Sequence, residues 1–373
     1  MHRRLFLSAT GSALLALQAG TLRSQPLPPP LRPWAAAAAG HADPRIAAMG
    51  WAVLAPNPHN RQPWALRLVG AQEALLFCDL GRRLPVTDPF DRQITIGLGC
   101  FLELFRLAAA ERGLDARITP FPAGEPQPRL DGRPVAHIAL APGAAPDPLF
   151  AAAPQRRSAK QPFDVERHVN GTALEALRAA LLAPEDFGAA TQDVAALRDL
   201  VWRAWVIEAE TPAAHQESVD LMRLGSAAVA ASPDGISIWG PRFDPMVARG
   251  EITPAAMQPG QPGYQAMTAQ YRAMLEATNA YVWLRTPGNT RAAQLAAGRD
   301  WLRLNLAATR AGLALHPVSQ ALQEYPEMAG PFAEAGRLLG GEGTVQMLGR
   351  LGHPTAAAPP TPRWPAESRI LAG

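Results

Sequence analysis

The stretch GCFLELFRLAAAERGL, residues 99–114, has a counterpart 199 residues further along the chain, GRDWLRLNLAATRAGL at residues 298–313. Both stretches space their apolar residues as a helix does, and both end in Gly-Leu. The same shift also matches Arg92 with Arg291, Leu107 with Leu306, Ala108 with Ala307 and Ala109 with Ala308. Composition alone could produce part of this match, because glycine commonly follows a helix C-terminus. We favour an internal duplication, in which the chain folds as a covalent pseudo-dimer whose site could lie between the halves.

The apolar pattern around these stretches predicts an α/β (α+β) chain of two blocks, residues 43–150 and 151–373. In the first block we expect helices at DPRIAAMGWAVLA and RQITIGLGCFLELFRLAAAERG, and strands at WALRLV, ALLFCDL, RITPF and VAHIALA. In the second block we expect helices at PLFAAAPQRR, TALEALRAALL, VAALRDLVWRAWVIEAE and around the counterpart stretch. A further helix and strand are expected at AMTAQYRAMLEATNAYVWLR, and a last strand at TVQMLGRLG. The sequence GLG at residues 97–99 lies inside a helical pattern and predicts a helix-packing position.

Two parts of the second block depart from this pattern. Residues 232–263, the "232–263 segment", are rich in proline and contain Trp239 and Phe243. Long loops of this kind are often active-site lids, and a surface insertion is the alternative. Residues 353–373, the "C-terminal arm", contain the proline-stiffened sequence PPTPRWP.

Composition excludes several classes of function. The chain has 373 residues, 48% of them hydrophobic, and a formal net charge of only +3. No run of Lys and Arg interleaved with aromatic residues is present, which argues against a nucleic-acid partner. The eight histidines show no HxxxH or HExxH spacing, so we predict no metal site. Cys78 and Cys100 have apolar flanks and are expected to be core residues.

The N-terminus MHRRLFLSATGSALLALQAG combines a basic start, the pair Arg3-Arg4 and a short apolar stretch. This pattern predicts a twin-arginine signal peptide over residues 1–22, followed by an extended Pro/Ala-rich spacer over residues 23–42. The alternative is a chance Arg-Arg pair in an arginine-rich chain. A signal of this kind predicts a periplasmic or otherwise exported protein, the twin-arginine export machinery as a partner, and a cofactor inserted before export.

Three polar segments carry the residue types that bind ligands. The first is APNPHNRQPW, residues 55–64, the "55–64 loop"; its amides and stiff backbone suit the polar edge of a heteroaromatic ring, or cap a proline-rich turn. The second is RRSAK, residues 156–160, the "RRSAK segment", with phosphate-binding residue types and the only lysine. Its alternative is a solvated helix end. The third is PPTPRWP in the C-terminal arm, which contains Arg363.

Together these segments resemble the nitroreductase family of FMN-dependent oxidoreductases, and in particular its exported, duplicated branch described as Acg-like. RRSAK matches the family motif RRSxR/K, and APNPHNRQPW matches APSxxNxQPW. The helix end AATRAGLALHP, the turn GHP at 352–354 and the arginine of PPTPRWP also correspond. The resemblance spans roughly 43–364, and only the APNPHNRQPW match is specific by itself.

The resemblance implies a nitroreductase-like fold with one FMN site between the halves. Its phosphate would be bound by Arg156, Arg157, Ser158, Lys160 and Arg363. The flavin ring would be lined, or its loop supported, by Pro56, Asn57, Asn60 and Gln62. Backbone N–H groups of the segment from Pro317 through Ser319 to Gln320 would face the redox nitrogen. Asn57 and Pro58 stand where the family has small hydroxyl-bearing residues, and Gln320 stands where many members have glycine.

The sequence contains no GxSxG elbow, P-loop or complete GxGxxG motif, and we assign no catalytic side chain. This agrees with chemistry that a flavin carries out while the protein orients the reactants. We expect an FMN-dependent oxidoreductase that transfers hydride from NAD(P)H or another small donor to an electron-poor acceptor, such as a nitroaromatic or a quinone. The rival is a non-catalytic protein that stores or sequesters FMN in an occluded site. A third alternative is an exported ligand-binding protein without FMN. We expect a monomer that mimics a dimer.

Overall fold

A computed structural model describes residues 27–339 and 341–372. The predicted signal peptide, residues 1–22, lies outside the described residues. Within the predicted spacer, Pro29–Leu31 form a 3-10 turn and Arg32–Ala39 form helix α1. The prediction of an extended spacer is therefore wrong for these residues, because alanine favours the helix and Pro33 is tolerated in its first turn.

The first sheet has four antiparallel strands in the order β1-β2-β4-β3. Its elements are helix α2 (Pro44–Ala52), strands β1 (Trp64–Val69) and β2 (Glu73–Cys78), helix α3 (Arg92–Ala110), and strands β3 (Leu114–Pro120) and β4 (Ala136–Pro142). Helix α3 is apolar and long enough to cross a membrane, but 89% of its most apolar window is buried inside the fold. Its apolarity is thus explained by core packing.

The second sheet is built from the later part of the chain. Its elements in chain order begin with β5 (Phe163–Asp164), α4 (Gly171–Ala179), β6 (Phe187–Ala190), α5 (Ala195–Glu210), α6 (Pro212–Asp220), β7 (Met222–Leu224), α7 (Gly225–Ala231), β8 (Ile236–Ile238), α8 (Asp244–Ala248) and α9 (Pro262–Glu276). They continue with β9 (Ala280–Thr286), α10 (Arg291–Arg310), β10 (Ala314–Pro317), α11 (Ala329–Leu338) and β11 (Thr344–Pro354). The strand order is β10-β11-β9-β6, with β5 on β11, while β7 and β8 form a small parallel pair.

The two sheets repeat one topology. In each, two strands are followed by a long helix and two more strands, and the fourth strand lies between the second and the third. β1, β2, α3, β3 and β4 thus correspond to β6, β9, α10, β10 and β11. The predicted internal duplication is confirmed. The main difference is that a short turn joins β1 to β2, whereas α5 to α9 are inserted between β6 and β9.

Helices α3 and α10 pack against each other at the centre of one core that contains residues from both halves. They cross at Gly99 and Gly298, the pair that the sequence shift aligns. A Cβ atom on Gly99 would lie 3.0 Å from the Cα of Gly298 and closer still to the carbonyl oxygen of Leu295, so no side chain fits there. Gly97 lies beneath Asn57 of the 55–64 loop. The prediction that the GLG sequence is a packing position is confirmed.

The matched arginines are also used reciprocally. Arg92 of α3 donates to the main-chain and side-chain oxygens of Gln346 on β11. Arg291 of α10 donates to the carbonyls of Pro126 and Pro128, between β3 and β4. Each half thereby binds the other through a buried guanidinium.

The prediction of a helix at PLFAAAPQRR is wrong. Only Pro148–Ala152 forms a 3-10 turn, and the chain is irregular from Arg156 onward. Ala153 keeps helical backbone, but Pro154 lacks the N–H group that would continue the helical hydrogen bonds, so a regular helix does not form.

Candidate functional site

The three polar segments meet where α2 ends and the 55–64 loop begins. Arg156 Nη2 donates to the carbonyl of Leu54 at 2.9 Å. Arg363 Nη2 donates to the same carbonyl at 3.2 Å and to that of Ala55 at 3.1 Å. The RRSAK segment and the C-terminal arm thus bring two guanidinium groups to one point of the backbone.

These guanidinium groups lack a counter-charge. Arg156 and Arg363 are each only 3% exposed, and no carboxylate among the described residues forms an ion pair with either of them or with Arg157. Burial and the neighbouring Arg157 lower the pKa of Arg156 to about 10. Burial, Arg156 and Arg157 lower the pKa of Arg363 well below its usual value. Buried like charges of this kind are costly unless an anion neutralises them.

Arg156, Arg157 and Arg363 each keep one donor atom without a protein partner among the described residues. Arg156 Nη1, Arg157 Nε and Arg363 Nε are buried without a hydrogen bond to any described residue. Most buried polar groups in proteins are satisfied, so three unsatisfied donors in one cluster are unusual. We call these three side chains the "arginine cluster".

Helix α1 completes the arginine cluster from outside. The Arg157 guanidinium lies 4.3 Å from the centroid of the Trp34 ring, a cation–π contact. Trp34 Nε1 donates to the carbonyl of Thr361 at 2.8 Å, and the Arg363 N–H donates to the carbonyl of Pro30 at 2.9 Å. The chain predicted to be a spacer therefore holds the C-terminal arm in place.

The remaining predicted phosphate ligands are Ser158 and Lys160, which come after Arg157 in the RRSAK segment. Ser158 is half-buried. Lys160 reaches solvent, yet the protein atoms packed around its ammonium desolvate it and lower its pKa. Behind it, Arg350 of β11 donates to the carbonyls of Ala159 and Gln161 at 2.7 and 2.6 Å, which fixes the backbone of this segment.

Inside the 55–64 loop, the Asn57 side chain forms hydrogen bonds with the backbone of the same loop. Asn57 Oδ1 accepts from the N–H of Gln62 at 2.7 Å, and Asn57 Nδ2 donates to the carbonyl of Ala55 at 3.2 Å. His59, Asn60 and Gln62 have φ values of 47°, 52° and 52°. Left-handed backbone in three non-glycine residues is costly and is kept only where surrounding contacts impose it.

Asn60 and Gln62 supply those contacts. Asn60 donates to the carbonyl of Pro362 at 3.2 Å and accepts from Arg363, while Gln62 accepts from the N–H of Trp364 at 2.9 Å. Gln62 Nε2 also donates to the carbonyl of Pro233 at 2.7 Å. Both amides thus tie the loop to the C-terminal arm and to the 232–263 segment. Buried Pro56 adds no polar group.

The 232–263 segment is structured and is anchored through Asp234. This buried carboxylate accepts from Arg223 at 3.0 Å and from Arg82, and lies 3.8 Å from Arg61 of the 55–64 loop. The segment also has its own small apolar cluster, which contains Ile252 and Met257. Sequence reasoning missed Asp234, because SPDG resembles an ordinary turn.

The segment from Pro317 to Gln320, which was expected to face the redox nitrogen of the flavin, begins at the end of β10. Val318 N–H is committed to the carbonyl of Leu348 at 2.9 Å, and Ser319 directly precedes the 3-10 turn Gln320–Leu322. The Oε1 atom of Gln320 accepts from the hydroxyl of Tyr271 at 3.2 Å. The N–H groups at the start of this turn precede its first internal hydrogen bond and so can serve a ligand.

One acidic residue near the 55–64 loop and the segment from Pro317 to Gln320 was not predicted from the sequence. Glu208 of α5 has its Oε1 atom 3.9 Å from His59 Nε2 of the 55–64 loop, and its Oε2 accepts from Gln323 Nε2 at 3.2 Å. Burial and the charge of Glu217 raise the pKa of Glu208 to about 7. Burial, Lys160 and Arg61 lower the pKa of His59 to about 4, so the imidazole is neutral at pH 7. No sequence motif marks Glu208, and the motif that contains His59 gave this histidine no role.

Comparison with known proteins relates the chain to nitroreductases. No protein-family model matches it. A Mycobacterium tuberculosis (strain H37Rv) protein named as a candidate NAD(P)H nitroreductase, Rv3131, is 30% identical over 335 residues, covering 85% of this chain and 90% of the relative. The M. tuberculosis protein acg, named likewise, is 39% identical over 69 residues, 18% of this chain and 20% of the relative.

The solved structures similar to this chain include the following two. The FMN and NADPH-dependent nitroreductase NfnB from Sphigopyxis sp. strain HMH is 16% identical, with a TM-score of 0.36, covering 60% of this chain and 98% of the other. A nitroreductase-like family protein from Bacillus cereus is 12% identical, with a TM-score of 0.33, covering 61% and 96%.

Proposed function

This chain belongs to the nitroreductase family, and from that premise we propose that it is an FMN-binding oxidoreductase whose single cofactor site lies between its two halves. The observation that carries the proposal is the arginine cluster. It offers buried, unsatisfied donors and uncompensated positive charge at the point where the three polar segments meet.

The residues present fit the phosphate of FMN. A phosphate monoester carries up to two negative charges and several acceptor oxygens, which matches convergent guanidinium donors. Arg156, Arg157 and Arg363 would bind it, with Ser158 and Lys160 at its side. Phosphate binding would also offset the cost of burying like charges, so the cluster is more stable with the ligand than without it.

The ring of FMN would lie between the 55–64 loop and the segment from Pro317 to Gln320. The loop is held by the side-chain amides of Asn57, Asn60 and Gln62, which donate to backbone carbonyls. These amides therefore fix the shape of the loop and do not supply free donors to the ring. When bound, FMN supplies hydride chemistry that protein side chains cannot. NAD(P)H is the proposed donor, and an electron-poor nitroaromatic or quinone is the proposed acceptor.

A second candidate function is the storage of FMN without turnover. It is supported by Asp234, which binds the 232–263 segment to arginines beside the 55–64 loop and could hold an occluding lid closed. Substituting Asp234→Asn should loosen this lid by weakening three arginine contacts. If the variant reduces acceptors at least tenfold faster than the wild type, the lid limits access. Equal rates with a turning-over wild type would contradict the storage function.

Export by the twin-arginine pathway is part of the proposal, as is membership of the exported Acg-like branch. It is supported by the pair Arg3-Arg4 and the apolar stretch that follows. Replacing both arginines with lysine should leave the protein in the cytoplasm, as measured by cell fractionation. We also propose a monomer, because both halves of the site come from one chain; the molar mass in solution tests this.

The flavin proposal is tested by cofactor content and by titration of the flavin-free protein with FMN. The wild type should contain one FMN per chain, and Arg156→Met or Arg363→Met should weaken FMN binding by about 10- to 100-fold, since each removes charge-assisted hydrogen bonds. Arg117→Ala, at an exposed position on β3, is the control for net charge and should bind as the wild type does. Unchanged binding in both methionine variants would contradict the phosphate assignment.

A further inference from the structure

Glu208 lies between two segments of the proposed FMN site, the 55–64 loop and the 3-10 turn that follows Pro317. On one side is His59, inside the 55–64 loop, at 3.9 Å. On the other are Gln323, which donates to Glu208 at 3.2 Å, and Gln320, the residue at the start of the adjoining 3-10 turn. The Glu208 side chain is 12% exposed, so it is mostly buried but still reaches solvent.

Among the residues that the structure describes, no lysine or arginine forms an ion pair with Glu208. The groups that face Glu208 from α6 are Glu217 and Ser218, and the Ser218 hydroxyl lies 3.4 Å from His59 Nε2. From α9 and from the chain before α11 come Tyr271 and Tyr325, whose hydroxyls are kept protonated by burial and by the nearby Glu208 charge. His59 is held neutral by burial and by the charges of Lys160 and Arg61.

Glu103 is a buried carboxylate whose surroundings keep it ionised, and it serves as a comparison for Glu208. It accepts from Arg106, Arg299 and Arg303, at 2.6, 2.9 and 2.9 Å. Burial alone would raise the pKa of Glu103, but these arginines outweigh it and lower that pKa. Glu208 has no arginine or lysine partner among the described residues, although its surroundings are polar. Its environment therefore favours a carboxyl group that can gain and lose a proton.

We propose that Glu208, beside His59 of the 55–64 loop, is the proton donor of the site and delivers a proton to the oxygen of the acceptor. This rests on the proposed oxidoreductase function. It assigns a protein side chain to a reaction for which the sequence motifs supplied none.

The proton balance of the step is simple for a quinone-type acceptor. Reduction by two electrons adds one hydride, with its electron pair, and one proton; the hydride and electrons come from NAD(P)H, which is oxidised. The O–H bond of Glu208 breaks as an O–H bond forms on the acceptor oxygen, and the resulting carboxylate takes a proton from water. One solvent proton is consumed per quinone reduced.

The test compares the wild type with Glu208→Gln and, as the matched control, Glu210→Gln at an exposed position on the same helix. Infrared spectra of the FMN-loaded proteins, without donor or acceptor, are recorded from pH 5 to pH 9. Burial raises the pKa of Asp88 to about 6, so one protonated-carboxyl band should disappear near pH 6 in every variant. A second band that disappears near pH 7 should be present in the wild type and the control and absent from Glu208→Gln. Glu208→Asp, which keeps the carboxyl, should retain a second titrating band.

Quinone reduction is measured in the same proteins. In the wild type, kcat should fall as pH rises through neutrality; in Glu208→Gln it should be about 100-fold lower and lose this dependence. If FMN-loaded Glu208→Gln keeps the band near pH 7 or the wild-type pH profile, the role of Glu208 is overturned while the proposed function stands. A wild type that takes up no FMN would instead overturn the proposed function, and this inference with it.

Discussion

Gly99 and Gly298 face each other at the crossing of α3 and α10, and each is the other's equivalent in the two repeated halves. A Cβ atom built on either residue comes within 3.0 Å of the other's Cα atom. The two glycines occupy equivalent positions in the two halves, so one glycine from each half sets how closely α3 and α10 approach. Close approach of backbones at a helix crossing requires residues without side chains.

Gly99→Ala should destabilise the protein by about 2–3 kcal/mol, because the new methyl group would push against the backbone of α10 rather than against a side chain that can move. The free energy of unfolding from denaturant titration measures this. Gly336→Ala is the control: Gly336 lies in α11 with no atom near its Cβ position, and alanine should stabilise that helix by about 0.5–1 kcal/mol. Equal effects of the two substitutions would contradict the crossing geometry.

Arg156→Met should have opposite effects on the flavin-free and the flavin-bound protein. Without flavin it removes a buried charge beside Arg157 and Arg363, so the free energy of unfolding should rise by on the order of 1 kcal/mol. With FMN it removes a ligand, so the increase in Tm on adding FMN should shrink. A variant that is less stable in both states would show that Arg156 is structural.

Trp34→Ala should weaken FMN binding although Trp34 is remote from the ring walls. It removes the surface on which Arg157 stacks and the bond to Thr361 that holds the C-terminal arm. We expect a rise in the FMN dissociation constant of about 5- to 30-fold, corresponding to roughly 1–2 kcal/mol. Trp34→Phe retains an aromatic face but no Nε1 donor, and should lie between the two. Equal affinities of wild type and Trp34→Ala would exclude a role for α1.

Glu208→Gln should change how stability depends on pH. The pKa of Glu208 is raised to about 7 in the folded protein, above its unfolded value near 4.5, so the folded state binds the proton more tightly. Its contribution to stability is therefore present below pH 4.5 and is lost as pH rises toward 7, by on the order of 3 kcal/mol. The variant should gain stability relative to the wild type over this range. A constant difference between pH 5 and pH 8 would contradict the raised pKa.

Local signals were sufficient for much of this molecule. The repeated helix could be recognised because Gly99 and Gly298 stand at one shift with several identical neighbours, and backbone contact at the crossing excludes other residues there. The 55–64 loop and the RRSAK segment could be singled out because their polar residues are contiguous. What they bind remains a proposal, although Arg156 and Arg363 meet at Leu54.

Periodicity and contiguous motifs are local properties of a chain, and they were enough to predict the four strands of the first sheet, the central helices and the polar segments. Strands β6 and β10 of the second sheet were not predicted. Which distant residues meet became visible in the folded chain alone. Trp34 bonds to Thr361 across 327 positions, and His59 reaches Glu208 from another half of the molecule. Their pairing depends on how whole helices and sheets pack, and the charge on Glu208 depends on which groups surround it. Neither property is encoded in the spacing of neighbouring residues.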